Sequence, residues 1–256
     1  MNGTVRHCDE APERRAGNDA TAVREVLDAR DGCERFTLRT LRTVRGHGIA
    51  RETGAADELL FALSGRGVLL AADGEHELEP EAGALVGPGE SYELVNGASE
   101  DLLVVSVSVH DPDARPAPAA GGATLSRLAD AAAQAATGER EFRIVFDPDN
   151  GCPSVTQFVG YIPVGAAPPH FHHYEEVIYV LDGEGVMHMN DEQAPLRAGS
   201  CIHLPAQRVH TLENSGPGVM RVLGVFRPAG SPAAAFYPDG TPAYTAVSPQ
   251  ASAVTT

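Results

Sequence analysis

The segment HFHHYEEVIYVLDG, residues 170–183, places three histidines and two glutamates directly before an apolar run that ends in glycine. Alternate residues of a β-strand face the same side of a sheet. If the segment is extended, His170, His172 and Glu176 project together from one face. His173 and Glu175 then point to the opposite face, where we expect solvent. The spacing predicts a strand that carries two imidazoles and a carboxylate into an interior.

Further histidines extend this cluster, because six of the ten in the chain lie between residues 170 and 210. His210 follows after a turn, a hairpin pattern and Pro205, so we expect it to meet the first group. Three imidazoles and a carboxylate suit a divalent first-row metal and fit a sulfur-rich structural zinc site poorly. The predicted metal ligands are His170, His172, Glu176 and His210.

Two residues near this cluster are candidates for the pocket around the metal, although the catalytic residues themselves stay unassigned. Tyr161 is interpreted as packing or pocket wall. His203 shares a strand face with Cys201 and is interpreted as a half-buried strand histidine, with a supporting proton donor or shuttle as the alternative.

The chain contains an internal repeat, which raises the expected domain count. DGCERFTLRTL (31–41) resembles NGCPSVTQFVGY (150–161), and ELLFALSGRG (58–67) resembles EVIYVLDGEG (176–185). A third pair, GALVGPGESYELVN (83–96) and GSCIHLPAQRVHTLEN (199–214), follows in the same order. Short strand-like runs bounded by turn residues fill both halves and predict an all-β barrel or jelly roll.

These patterns divide the chain into an N-terminal barrel over residues 1–115, a C-terminal barrel over 116–230 and an extended tail over 231–256. The connecting segment has Pro/Gly/Ala composition, and LSRLADAAAQAA (125–136) is interpreted as one short helix. The linker is therefore expected to be short and partly helical.

Composition excludes several classes of partner. The formal net charge of -16 would repel nucleic acid, and no Lys/Arg-rich segment opposes it. No apolar run is long enough to predict a membrane span, and the N-terminus lacks a signal-peptide pattern. Four scattered cysteines without short spacings predict free thiols, with Cys33 and Cys152 buried as small apolar residues. A cytoplasmic protein is expected.

The histidine and glycine spacing resembles the two sequence motifs of the cupin family. The first motif, glycine, H-x-H, E and glycine, is matched by His170, His172, Glu176 and Gly183, with Gly165 one residue closer than usual. The second is matched by Gly199, Pro205, His210 and Asn214 but has Gln207 where the family has glycine. The resemblance implies a bicupin, two tandem cupin jelly-roll barrels, with metal ligands intact in the second barrel only.

The first half keeps the repeat but lacks the imidazoles. Glu52, Gly54 and Tyr92 occupy the positions of His170, His172 and His210, and Glu58 occupies that of Glu176. One carboxylate is a weak transition-metal site. We expect this barrel to be a structural or dimerising partner, in a protein that is a monomer or homodimer.

The resemblance and the ligand set together favour a mononuclear metal enzyme that acts on a small oxygen-bearing molecule. One divalent ion is expected, Fe(II) or Mn(II) before Ni, Cu or Zn. With Fe(II), the open coordination positions could bind dioxygen and the substrate, which gives a dioxygenase or other oxidoreductase that needs no nucleotide, consistent with the absence of a Gly-rich phosphate loop. The alternatives are a manganese hydrolase of the ureidoglycine aminohydrolase type and a binding or sensor cupin without catalysis.

Overall fold

The computed structural model describes residues 3–110, 121–189 and 192–243. Their regular structure is β-strand and short 3₁₀ turns, as the sequence predicts. No helix among them is long and apolar enough to cross a membrane.

The first half forms eleven strands. They are β1 Thr4–His7, β2 Thr21–Leu27, β3 Phe36–Thr43, β4 Gly46–His47, β5 Arg51–Glu52, β6 Ala56–Ser64, β7 Gly67–Ala71, β8 Gly74–Leu78, β9 Ala82–Val86, β10 Ser91–Asn96 and β11 Leu102–His110.

The second half also forms eleven strands. They are β12 Ala123–Arg127, β13 Gln134–Ala135, β14 Glu141–Phe146, β15 Thr156–Ile162, β16 Gly165–Ala166, β17 Glu175–Asp182, β18 Glu184–Met189, β19 Glu192–Arg197, β20 Ser200–Leu204, β21 His210–Asn214 and β22 Met220–Arg227. The 3₁₀ turns are Cys8–Glu10, Ala29–Asp31, Leu128–Asp130 and Pro148–Asn150.

Each half folds into two antiparallel sheets, which confirms the predicted pair of jelly-roll barrels. The first barrel joins a six-stranded sheet, β12-β9-β6-β11-β3-β2, to a smaller sheet of β4, β5, β10, β7 and β8. The second joins a seven-stranded sheet, β1-β20-β17-β22-β15-β14-β13, to the four-stranded β16-β21-β18-β19.

The two halves exchange strands. β1 from the start of the chain pairs with β20 of the second barrel, whereas β12 from the connecting segment pairs with β9 of the first. Each larger sheet therefore gains an edge strand from the other half. The boundaries at residues 115 and 230 stay a prediction, because sheet membership does not follow them strictly.

The expected helix over residues 125–136 is wrong. Residues 123–127 form β12, and the only helical part is the three-residue turn Leu128–Asp130. A twelve-residue helix is marginal without packing on one face. Here the backbone instead pairs with β9, and Leu128 is buried in the core between the barrels.

A repeated corner demonstrates the internal symmetry. Asp28 and Asp147 each begin a 3₁₀ turn with a capping box, and Gly32 and Gly151 end these turns with φ of 81° and 111°. The residue after each glycine is a fully buried cysteine, Cys33 or Cys152. Both lie in one apolar cluster that spans the larger sheets of the two barrels. The four cysteines are free, as predicted.

Candidate metal centre

Three histidines converge inside the second barrel. His170 lies in the loop before β17 and forms two backbone hydrogen bonds with His210, the first residue of β21, at 3.0 and 2.8 Å. His172 lies two residues further along the same loop. One ring nitrogen from each of the three histidines lies within 4.8 Å of the others. The loop is held by this bridge rather than by a continuous strand, because β17 begins only at Glu175.

The Nδ1 atom of each histidine ring is hydrogen-bonded to a backbone carbonyl. His170 Nδ1 donates to Pro168 O at 2.8 Å, His172 Nδ1 to Ala234 O at 2.9 Å and His210 Nδ1 to Arg208 O at 2.9 Å. A carbonyl can only accept, so each Nδ1 carries the proton and each Nε2 keeps a free lone pair. Hydrogen bonds of this kind orient metal-ligating histidines in known metalloproteins. The donor set thus fits a divalent metal.

Burial keeps these rings neutral. It lowers the pKa of His172 to about 4 and the pKa of His210 well below its usual range. The pKa of His170 is lowered in the same direction, first by burial and to a lesser degree by the positive charge of Arg140. Neutral imidazole is the form that binds a metal.

Glu176 lines the same cavity as the three histidines but does not belong to the group within 4.8 Å. Its side chain is buried, and burial raises its pKa to about 8. A Cβ on Gly224 of β22 would lie 2.8 Å from its Oε1. The structure therefore brings three predicted ligands together and places the fourth on the adjacent wall; the ligand set itself stays a prediction.

The cavity above the histidines has a volume of about 100 Å³. Its walls are mainly apolar. They include Phe142, Phe158, Ile162, Ile178, Met187, Leu204, Leu212 and Val222. Arg140, which precedes β14, is the one arginine among the described residues that line it. Sequence reasoning missed Arg140, because its position at the cavity depends on how the connecting segment crosses the barrel mouth.

The segment after β22 packs over this site. Phe236 and Phe171 exchange two backbone hydrogen bonds of 2.9 Å, and their rings stack with centroids 5.8 Å apart. Ala234 supplies the carbonyl for His172, and Pro232 and Ala235 line the cavity. The described part of the predicted tail, residues 231–243, is therefore part of the candidate site. Its low-complexity composition gave no signal of this role.

An aromatic stack supports the second histidine. Tyr174 lies between His172 and Phe226, with ring centroids 4.5 and 3.9 Å away and interplanar angles of 9° and 18°. This packing and the hydrogen bond to the Ala234 carbonyl together hold the His172 ring in place. Tyr174 was not among the predicted site residues, although the alternation that groups His170, His172 and Glu176 places it on the same face.

The prediction that His203 belongs to the pocket is wrong. It lies on the other face of the seven-stranded sheet, fully buried, and its Nε2 is 2.9 Å from Glu175 Oε1. Glu175 was expected to be exposed but is only 15% exposed there. That face is covered by the first barrel rather than by solvent, and Cys33 of the first barrel joins the pair in a buried group.

The other predictions near the cluster fare better. His173 is exposed, as expected, and its ring lies 4.5 Å from that of Phe236. Tyr161 contributes to the cavity wall and packs against the core between the barrels, with the Arg221 guanidinium 5.6 Å from its ring centroid. This is the packing and wall position predicted for it.

The glycine position occupied by Gln207 keeps the turn geometry of the motif. Gln207 has φ of 62°, a left-handed conformation that glycine adopts more readily. The equivalent residue of the first barrel is Gly89, with φ of 79°. Gln207 N donates to His172 O at 2.6 Å, as Gly89 N donates to Gly54 O at 2.7 Å. The departure from the motif therefore leaves the turn intact.

Comparison with known proteins gives the same fold. Residues 157–226 match the family model described as "Cupin domain". A glyoxylate-induced protein of Pseudomonas aeruginosa superposes with a TM-score of 0.71 at 17% identity, covering 88% of both chains. Oxalate decarboxylase of Bacillus subtilis superposes with a TM-score of 0.70 at 13% identity, covering 90% of this chain and 78% of the other. Studies of that enzyme describe Mn(II) centres.

Sequence relatives match a shorter region. The oxalate-binding protein of Thermotoga maritima is 37% identical over 57 residues, 22% of this chain and 47% of its own length. An uncharacterized protein of Methanocaldococcus jannaschii is 33% identical over 64 residues, 24% of this chain and 51% of its own length. The chain thus spans about half the length of these relatives. Residues 157–226 thus match the cupin family, and the chain as a whole has the fold of two tandem cupin barrels.

Proposed function

We propose that the chain is a mononuclear divalent-metal enzyme, a dioxygenase or related oxidoreductase, that acts on a small oxygen-bearing molecule in the second barrel. The observation that carries the proposal is the convergence of His170, His172 and His210, each with Nδ1 bound to a backbone carbonyl. Three such nitrogens, held in advance by the fold, form a preorganised site for a first-row metal.

The residues around the three histidines have different roles in the proposed site. Glu176 supplies a fourth, carboxylate ligand from the adjacent wall. The apolar walls exclude water from the reacting groups, which strengthens electrostatic interactions inside the cavity. When bound, a divalent ion supplies Lewis acidity and, if it is Fe(II), redox chemistry with dioxygen beside the substrate. The two first-choice ions are Fe(II) and Mn(II).

The second candidate is a small-molecule binding protein of the cupin type. It is favoured by the similarity to the oxalate-binding protein of Thermotoga maritima, whose matched region is 37% identical. In that case the metal would anchor a ligand without turnover. A manganese hydrolase of the ureidoglycine aminohydrolase type is the remaining alternative from the sequence.

The test combines metal analysis with three assays on untagged protein purified without chelator. We expect about one equivalent of iron or manganese by mass spectrometry and oxygen uptake with a panel of diketones, catechols and 2-oxo acids. Ammonia release from ureidoglycine would favour the hydrolase, and calorimetric binding of oxalate without turnover would favour the binding protein. Absence of metal, even after reconstitution with Fe(II) and Mn(II), would overturn the proposal.

A further inference from the structure

Arg140 brings a positive charge to the edge of the candidate metal cavity. Its side chain is half-buried and lines the cavity with His170 and His210. Its Nη2 donates to Leu212 O at 2.7 Å, which holds the guanidinium against β21. Burial lowers the pKa of this guanidinium, and the cause is desolvation alone.

Some arginines of the described residues are neutralised by carboxylates of the chain. Arg51 pairs with Asp19 at 2.9 Å, and Arg42 pairs with Asp101 at 3.0 Å. For Arg140, no carboxylate of residues 3–110, 121–189 or 192–243 lies within ion-pair distance. The one described hydrogen bond of the guanidinium goes to the neutral Leu212 carbonyl. The fold therefore solvates this charge in part but does not neutralise it.

A partly desolvated cation without an anionic partner is costly. The neighbouring imidazoles each donate Nδ1–H to a backbone carbonyl and are neutral, so they offer no negative charge to the guanidinium. A divalent ion on the histidines would increase the positive charge, and the carboxylates among the described cavity residues are the buried Glu176 and the exposed Glu141, neither of which forms an ion pair with Arg140. The completed site would therefore attract a second negative charge from outside the chain.

We propose that Arg140 is a specificity-determining residue that binds the carboxylate of a small substrate, and that this substrate is a short monocarboxylate with an apolar body. The planar guanidinium offers two parallel N–H groups that match a carboxylate. The apolar walls, such as Phe158, Ile178 and Leu212, contact the remaining atoms. A cavity of about 100 Å³ limits these to a few heavy atoms. The inference rests on the proposed function for the metal beside it.

The experiment measures binding of pyruvate and of its neutral methyl ester by calorimetry, in anaerobic Mn(II)-loaded full-length protein. Pyruvate serves as a probe of the substrate class. We expect wild type to bind pyruvate at least tenfold more tightly than methyl pyruvate. Arg140→Gln should lower pyruvate affinity roughly thirtyfold, because a buried charged partner is removed, and should leave methyl pyruvate nearly unaffected. Arg140→Lys should recover part of the loss, because it keeps charge without the fork.

The matched control is Arg143→Gln on β14. Arg143 also donates to backbone carbonyls, Leu128 O and Ala131 O, but does not line the cavity. It should leave pyruvate affinity unchanged. The metal content of every sample separates the two proposals. Wild-type protein that binds no metal would overturn the proposed function but not the role of Arg140. In that case, pyruvate binding to metal-free wild type and Arg140→Gln tests the role of Arg140.

Two results would overturn the inference itself. Equal pyruvate affinity in metal-loaded wild type and Arg140→Gln would remove Arg140 from substrate binding. Equal affinity of wild type for pyruvate and methyl pyruvate would show that the carboxylate is not recognised, a result that does not depend on the folding of any variant.

Discussion

Each barrel has a buried glutamate at the equivalent position of the equivalent strand, but the two side chains differ in their hydrogen-bond partners. In the first barrel, Glu58 accepts hydrogen bonds from the hydroxyls of Tyr92, Ser106 and Ser108. In the second, Glu176 has no hydroxyl within hydrogen-bond distance among the described residues, and burial raises its pKa to about 8. The serine positions of the first barrel are occupied here by Gly224 and Phe226.

The interior around Glu58 is filled by hydrogen-bonded side chains, whereas the interior around Glu176 contains a cavity. Three hydroxyl donors satisfy Glu58, and Tyr92 fills the position that His210 occupies in the second barrel. Where the serines are absent, Phe158 and Glu176 occupy the space beside Gly224, and a cavity lined by the three histidines remains. The Glu58 carboxylate of the first barrel is thus satisfied by hydroxyl donors, whereas the Glu176 carboxylate has no such donor among the described residues and faces the cavity.

The largest expected effect is on metal affinity, which should fall when one imidazole of the second barrel is removed. We expect His172→Ala to weaken metal affinity by more than the roughly hundredfold that loss of an outer hydrogen-bond partner costs. The fold should persist, because the barrel core lies elsewhere. Metal titration monitored by mass spectrometry, with circular dichroism for folding, checks both statements. His173→Ala, which alters an exposed neighbour, is the control; equal metal loss in both variants would contradict the assignment.

The hydrogen bonds to Glu58 in the first barrel are tested by removing two of the hydroxyl donors. Ser106→Ala with Ser108→Ala leaves Glu58 with the Tyr92 hydroxyl alone, and should lower the free energy of unfolding by roughly 2–3 kcal/mol in urea titrations. Adding Glu58→Gln should recover part of this loss. Glu176→Gln in metal-free protein has no such donor to lose and should change stability by less than about 1 kcal/mol. Similar losses in both barrels would show that the contrast is wrong.

The segment after β22 supplies a carbonyl that orients a histidine of the second barrel, so its removal sharpens the comparison. A chain that ends at Gly230 lacks the Ala234 carbonyl that orients His172. We expect metal affinity to fall about tenfold to a hundredfold. A chain that ends at Ala243 keeps every contact described here and should bind as the full chain does. If both truncations bind alike, the carbonyl does not position His172.

The smallest effect concerns the shared turn. Gln207→Gly should raise the free energy of unfolding by up to about 1 kcal/mol, because glycine adopts a positive φ without the steric cost of a side chain. The reverse change in the first barrel, Gly89→Gln, should lower it by a similar amount. Urea denaturation of both variants measures the pair. Two changes of the same sign would mean that the turns are not equivalent.

The sequence by itself determined the repeat, the all-β fold and the place of the histidine cluster. Residue spacing sets which side chains share a strand face, and local turn signals set where strands end. The buried cysteines after the paired corners and the exposed His173 follow from the same local rules. These features depend on residues close together in the chain, so one sequence suffices to predict them.

Only the tertiary structure decided what each of these faces meets. Strand parity placed His203 among the pocket candidates and Glu175 toward solvent, but both lie on the sheet face that the first barrel covers. The Ala234 carbonyl at His172, the Phe226 ring on Tyr174 and the approach of Arg140 to the cavity likewise come from segments far from the histidine loop in the chain. Such contacts join residues far apart in sequence, and their energies depend on burial and packing that no local pattern encodes.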